Sequence, residues 1–351
     1  MKKRITALLL LLTLSVTSLF ACTSADKSES ASDKTAKTSK STSTKKQELT
    51  PVTLNEVAHS IFYAPMYVAI EEGYFEEEGL DLTLVTGFGA DKVLTALISG
   101  EADIGFMGAE ASIYACQEGA TDPAVNFAQL TQRAGNFLVA REEMSDFKWE
   151  DLKGKKVLGG RKGGMPEMVF EYILKKNGID PQKDLTIDQS IDFGSTAAAF
   201  SGGQADYTIE FEPSATALEA ENSGYVVASL GVDSGYVPYT AYSAKTSYLN
   251  ANPNIIQKFT NALQKGMDFV QSHTPEEIAK VIAPQFKETD LATITTIVSR
   301  YYEQDTWKSD LIFNEESFNL LQDILENSGE LKERVPYEEL VTTTFAEKAA
   351  H

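Results

Sequence analysis

The chain has 351 residues, enough for two domains of common size, and a formal net charge of −20 at pH 7. That acidic excess argues against nucleic acid, which is held by clustered Lys and Arg, and against a polybasic membrane patch. Only two cysteines, Cys22 and Cys116, are present, so no disulfide framework is expected.

Lys2, Lys3 and Arg4 precede an apolar run over residues 5–20. A basic start and a short apolar run, broken by Ser and Thr, predict a secretory signal peptide over 1–21 rather than a membrane span. The run ends Leu19-Phe20-Ala21-Cys22. This tetrapeptide resembles the lipobox of bacterial lipoproteins, although Phe20 is bulkier than usual at its place. The resemblance implies that Cys22 becomes the lipidated first residue; ordinary secretion with a chance cysteine is the alternative. Loss of Lys2, Lys3 and Arg4 takes the net charge to −23. Residues 23–49 hold twelve Ser/Thr among 27 and almost no large apolar side chain. Such a segment cannot offset its ordering entropy, which predicts a disordered tether over 22–49.

From residue 50 the chain alternates. Strands are expected at 52–57, 82–85, 104–107 and 125–130, and helices at 64–72, 91–99 and 111–117, the first with Pro65 in its first turn and Gly73 as its stop. A charged joint at 146–155 opens a second series. Its strands fall at 156–159, 184–187, 207–211 and 225–229, and its helices at 167–177, 196–201 and 214–221. From Pro253 the pattern is helical throughout, at 253–272, 275–282, 291–303, 315–327 and 337–340. Strand–helix alternation at this spacing predicts an α/β fold with mainly parallel sheets.

One unit occurs twice. Phe88-Gly89 and Phe193-Gly194 each open a short helix that ends in a Gly-acid/amide-Ala-Asp turn (Gly100 to Asp103, Gly203 to Asp206) and then an apolar strand. Two similar α/β lobes would each need that piece. The expected role of Asp103 and Asp206 is structural, capping backbone N–H groups.

Three stretches, Tyr63 to Val85, Leu97 to Gly108 and Asp151 to Asp180, resemble the substrate-binding lipoproteins of bacterial ABC importers. The branch is the one that groups sulfonate, nitrate, taurine and thiamine-pyrimidine binders with THI5-type proteins. The resemblance covers most of residues 51–345. It implies a two-lobed periplasmic-binding-protein fold of type II, each lobe a mixed sheet flanked by helices. Lobe 1 would be 51–143 plus 241–351, and lobe 2 would be 144–240. It also implies a monomer that closes on one small molecule outside the cell and meets an ABC permease and its ATPase, tethered to the membrane by its lipid.

Ligands of open α/β sheets bind beyond the carboxyl ends of strands. The loops there supply the candidates. After the first strand come His59, Phe62 and Tyr63, suited to stacking and hydrogen bonding, with a simple loop histidine as the bland account of His59. Gly87, Gly89 and Ala90 precede one helix and Gly108 and Glu110 another, where free N–H groups face outward. The turn holding Gly160, Arg161, Gly163 and Gly164 is glycine-rich and cationic, but it is not a Walker P-loop. Its amides and Arg161 suit a carboxylate, sulfonate or phosphate. Glu210 and Glu212 suit ligand amino groups. Arg133 could meet an anion or an inter-lobe acid, and Tyr236, with Tyr239 and Tyr242, sits at the second crossover, where hinge packing is the alternative. These groups leave a nitrogen heterocycle and a sulfonate-type anion both open.

No cofactor and no metal are expected. Of three histidines, His59, His273 and His351, one is the last residue, which argues against a multi-histidine site. A pyrimidine-synthesising enzyme is the rival reading. That chemistry is associated with a cysteine-rich motif and a pyridoxal-binding lysine, whereas Cys116 is the sole cysteine of the body. A ligand-sensing surface protein without a transporter is the third reading, which gene neighbours would separate.

Overall fold

The computed structural model describes residues 48–351; the expected signal peptide, Cys22 and nearly all of the tether lie outside them. Ten strands form two five-stranded sheets. The first holds β1 (Thr50–Glu56), β2 (Leu80–Thr86), β3 (Ile104–Met107) and β4 (Ala124–Gln129). The second holds β5 (Asn136–Ala140), β6 (Lys156–Leu158), β7 (Thr186–Asp188), β8 (Tyr207–Phe211) and β9 (Tyr225–Ser229). The chain then returns to the first sheet through β10 (Ala241–Lys245).

The sheets are wired alike, in the orders β2-β1-β3-β10-β4 and β7-β6-β8-β5-β9. In each, three strands run parallel, and the next strand, β10 or β5, is antiparallel to both of its neighbours. β5 opens the continuous series of its own sheet, whereas β10 joins the first sheet from beyond that sheet's series, so the chain crosses between the halves twice, at 130–135 and 230–240. Residues 136–140 fall within the segment expected in lobe 1, yet they pair with β8 and β9 of the second sheet. Their backbone groups find partners only there, so the first crossover comes before β5 rather than at 143.

The repeated unit occupies the same place in both halves. Helix Ala90–Ser99 leads into β3, and helix Thr196–Ser201 into β8. Asp103 Oδ2 accepts from the N–H of Thr53 in β1 at 2.8 Å, and Asp206 Oδ2 accepts from the N–H of Lys156 in β6 at 2.8 Å. The backbone N–H groups of both aspartates return the bond to the same two residues, at 3.0 and 2.9 Å. Each aspartate therefore pins the start of the third strand to the first.

The C-terminal helices cover the first sheet and bridge to the second. Helix Pro253–Ser272 packs its apolar stripe, including Ile256, Phe259, Leu263 and Met267, into the core. It crosses helix Ala64–Glu71 at Gly266, where a Cβ would lie 2.2 Å from the Pro65 carbonyl oxygen; only glycine permits that approach. Helix Leu291–Glu303, capped by Asp290 onto the Thr293 N–H, brings Arg300 to Glu212 and Tyr301 to Gly135. Past helix Glu315–Ser328, Glu330 pairs with Lys162 at 3.2 Å. No helix among the described residues is long and apolar enough to cross a membrane.

Candidate functional site

A cavity opens between the two sheets, beyond the carboxyl ends of β1, β3, β6 and β8. The first half contributes Val57, Ala58, Tyr63, Gly89, Ala90, Gly108 and Glu110. The second contributes Arg161, Gly164, Met165, Pro166 and Phe211, and Tyr239 and Thr240 close it from the second crossover. The space is about 520 Å³ when its mouth is counted, of which about 60 Å³ admits water centres. It is a narrow slot whose free width suits a small or flat solute.

Helix packing explains why these residues converge. Helices Ala90–Ser99, Glu110–Gln117 and Met165–Lys176 each follow a strand, and Gly89, Gly108 or Gly164 sits at or just before each N-terminus. Their unsatisfied N–H groups thus point toward the slot. Beside it, Phe88 holds a positive φ of 57° and is 55% exposed, a strained and wet position for an aromatic residue. Gly194 of the second half lies across from its ring, so the Phe88 ring of one repeat meets the glycine of the other at the gap.

Glu110 and Arg161 are the charged residues of the walls. The Glu110 side chain is buried, and Arg161 Nη2 stands 4.0 Å from its Oε1. Arg161 Nε also faces Asp91 at 3.5 Å. Burial pushes the Glu110 carboxyl up to about 7, against the pull of Arg161 and of nearby backbone N–H groups, including that of Met165 across the gap. Its Oε2 is buried without a hydrogen-bond partner and presses so close to Gly108 that a Cβ there would lie 1.9 Å away. Burial likewise holds the Tyr63 and Tyr239 hydroxyls well above the ordinary tyrosine range, so both stay protonated. Tyr239 donates to Asn136 Oδ1.

Of the candidates read from the sequence, Tyr63, Gly89, Ala90, Gly108, Glu110, Arg161 and Gly164 line the slot. The others stand elsewhere. His59 Nδ1 is 2.9 Å from Glu56 Oε1, its Nε2 is 2.9 Å from the Gln285 carbonyl, and its ring stacks on Phe286. The Glu56 hydrogen bond raises its pKa, and the ring ties helix Ala64–Glu71 to the C-terminal helices. Phe62 is fully buried among Tyr63, Phe211, Tyr239 and Tyr301. Gly87 packs against Asn55 and Val93. Gly160 takes a positive φ of 79°. Gly163 donates to Glu167 and accepts from Tyr114, joining the halves beside the slot. Glu210 is buried and bonded to Thr208, and desolvation raises it to about 7. Glu212 is matched by Thr216 and Arg300. Arg133 lies 4.1 Å over the Tyr236 ring and donates to the Gly231 carbonyl, while Tyr236 donates to Asp305; this pair forms a surface patch.

Sequence reasoning did not single out Met165, Pro166, Phe211 and Thr240 as walls, and it named Tyr239 only beside Tyr236 at the second crossover, with hinge packing as the alternative. The glycine-rich turn carried the signal for the first two. Phe211 arrives through its pairing with Asn136, 75 residues away, and the crossover residues Tyr239 and Thr240 through bonds to Asn136 and Thr131, more than a hundred residues away. Among the described residues, no three His, Cys, Asp or Glu side chains gather as a metal ion would require.

Comparison with known proteins gives this geometry its context. "Putative binding protein YtlA" of Bacillus subtilis is 48% identical over 305 residues, covering 86% of this chain and 91% of that one. The 4-amino-5-hydroxymethyl-2-methylpyrimidine phosphate synthase of Aspergillus parasiticus is 25% identical over 222 residues, 60% of this chain and 63% of that one. Among solved structures, the alkanesulfonate-binding protein SsuA from Xanthomonas axonopodis pv. citri, bound to MOPS, superposes with a TM-score of 0.69 at 18% identity, over 84% of this chain and 99% of that one. That likeness establishes the periplasmic-binding-protein fold expected from the sequence. The family model described as NMT1/THI5 like matches residues 61–278, more than half of the chain, and the protein therefore belongs to the NMT1/THI5 like family.

Proposed function

We propose that the protein is the extracytoplasmic solute-binding component of an ABC importer, held at the membrane by lipid on Cys22 and delivering a small molecule by cleft closure. The observation that carries this reading is the slot itself, whose walls come from both sheets and from the crossover between them. The half bearing β1–β4 and β10 and the half bearing β5–β9 act as the two lobes. A ligand touching both favours the closed arrangement by its differential contacts. The contacts Tyr114–Gly163, Arg161–Asp91 and Lys162–Glu330 are those that closure makes and opening breaks.

The walls hold no lysine, histidine or cysteine, which favours holding a solute over transforming it. Cys116, half-buried on helix Glu110–Gln117, is not among them. The ligand is a nitrogen heterocycle of the thiamine-precursor kind or a sulfonate-type anion.

A thermal-shift screen of the purified protein against sulfonates, nitrate, riboflavin, thiamine and aminopyrimidines tests the reading. One solute should stabilise strongly, by about 2.7 kcal/mol at a hundredfold excess over its dissociation constant. If no small solute moves the transition, the importer reading fails.

A further inference from the structure

We infer that Glu110 selects the ligand: its buried Oε2 accepts a hydrogen bond from an N–H group of a cationic or amino-bearing solute, and the slot turns away solutes that would place an oxyanion there. This inference rests on the solute-binding reading and decides between the two ligand classes that it leaves open.

Three helix N-termini and Arg161 would by themselves form an anion site. Glu110 is the internal anion of that site. It is the first residue of its own helix, it reaches toward the backbone N–H of Met165 in the opposite half, and Arg161 stands beside it at 4.0 Å. A sulfonate or carboxylate entering here meets a buried carboxylate whose repulsion is poorly screened.

Glu110 Oε2 is buried and makes no hydrogen bond, although Glu110 and Gly108, against which it lies, both line the cavity. A buried acceptor without a donor is costly, and a ligand that brings the donor recovers that cost. A Cβ at Gly108 would fall 1.9 Å from Oε2, so glycine here leaves the carboxylate the space it occupies. Glu212, at the corresponding place after β8, shows the contrast: both of its oxygens are taken by protein donors.

Shape and apolar surface act in the same direction. Tyr63, Phe211 and Tyr239 surround a narrow gap, which admits a flat ring more readily than a tetrahedral headgroup. A protonated or amino-substituted heterocycle meets all three conditions.

Glu110→Gln and Glu110→Asp, with the wild type, should be titrated by calorimetry with thiamine, 4-aminopyrimidine and methanesulfonate. In the wild type an amino-bearing probe binds and methanesulfonate does not. Glu110→Gln should weaken that probe by about tenfold or more, the size expected for a lost hydrogen bond to a charged acceptor, and should leave methanesulfonate binding the same or stronger. Glu110→Asp keeps the charge and should retain part of the affinity, which separates loss of the acceptor from loss of the fold. Binding of methanesulfonate alone, or of an amino-bearing probe equally by wild type and Glu110→Gln, overturns the inference while leaving the solute-binding reading intact. If no probe binds here and no solute responds in the wider screen, both fall.

Discussion

Glu110 and Glu212 stand at corresponding places in the two halves, each shortly after the third strand of an identically wired sheet, and each is buried. Their surroundings differ. Glu212 accepts from the Thr216 N–H and hydroxyl, each at 2.9 Å, and from Arg300 Nη1 at 2.8 Å. Its own carbonyl accepts from Ser60 Oγ at 2.6 Å. Glu110 has a distant Arg161 and an unpartnered oxygen. A repeated scaffold has thus placed two carboxylates alike and used them differently: one fastens the C-terminal helices to the second half, and the other keeps a buried oxygen without a donor in the wall of the slot. Equal topology does not make equal sites; the donors supplied by the rest of the chain decide.

The sharpest way to break this contrast is to remove the donor that Glu212 owns. Arg300→Met leaves Glu212 buried beside Thr216 alone. Stripping one partner from a buried pair costs about 3 kcal/mol, with some relief here because the Arg300 side chain is 31% exposed. The urea midpoint should drop accordingly. An unchanged midpoint would mean that Glu212 is no more clamped than Glu110.

The complementary change should have the opposite sign. Glu110→Gln removes a carboxyl that is costly to ionise in the free protein, and should raise the melting temperature at pH 8 by an amount equivalent to about 1–2 kcal/mol. The sign follows from linkage. The folded-state pKa, about 7, lies above the ordinary glutamate value of 4.5. The folded protein therefore binds the proton more tightly, and stability falls as pH rises from about 4.5 through 7. The gain from Glu110→Gln should accordingly vanish near pH 4.5. Arg161, Tyr63, Tyr114 and Tyr239 face the Glu110 charge, and burial keeps the tyrosines neutral throughout that range. Glu210 and Glu167 are also raised to about 7 by burial and titrate alike in both proteins, so the difference curve isolates Glu110. A gain that persists at pH 4.5 would locate the cause in packing instead of charge.

How much of this could be read beforehand follows the range of the interactions. Helices 253–272 and 291–303 and strand 207–211 were legible because local periodicity and caps define them. β5 and β10 were not. β5 is five buried residues, Asn136–Ala140, too short for its apolar run to separate strand from loop. β10 reads Ala-Tyr-Ser-Ala-Lys, with three poor strand formers; its pairing with β3 and β4 makes it a strand. The slot followed the same rule. Glycines before helices marked Gly89, Gly108 and Gly164, and the cation in a glycine-rich turn marked Arg161. The tyrosine cluster at the crossover did not separate Tyr239 from Tyr236, because Tyr239 reaches the slot only when the chain crosses back. His59 gave a misleading one: its partner Gln285 lies 226 residues away, and no local pattern shows that the ring is already engaged.

The finest test of the comparison lies where the halves agree most. Asp103 and Asp206 make the same bond, each from Oδ2 to the N–H fifty residues earlier at 2.8 Å, so Asp103→Ala and Asp206→Ala should cost similar amounts, about 1 kcal/mol each. Two differences bias the result. Asp206 is exposed and Asp103 partly buried, so water replaces the lost acceptor more readily in the second half. Asp103 also bonds to the Tyr248 side chain, a partner that the repeat does not duplicate. The first-half variant should therefore be the costlier of the two by a few tenths of a kcal/mol, and the double variant should show the sum, since the sites share no neighbours. A large inequality in the reverse order would mean that the second turn carries a load its hydrogen bonds do not reveal, and the structural equivalence of the two units would end at their topology.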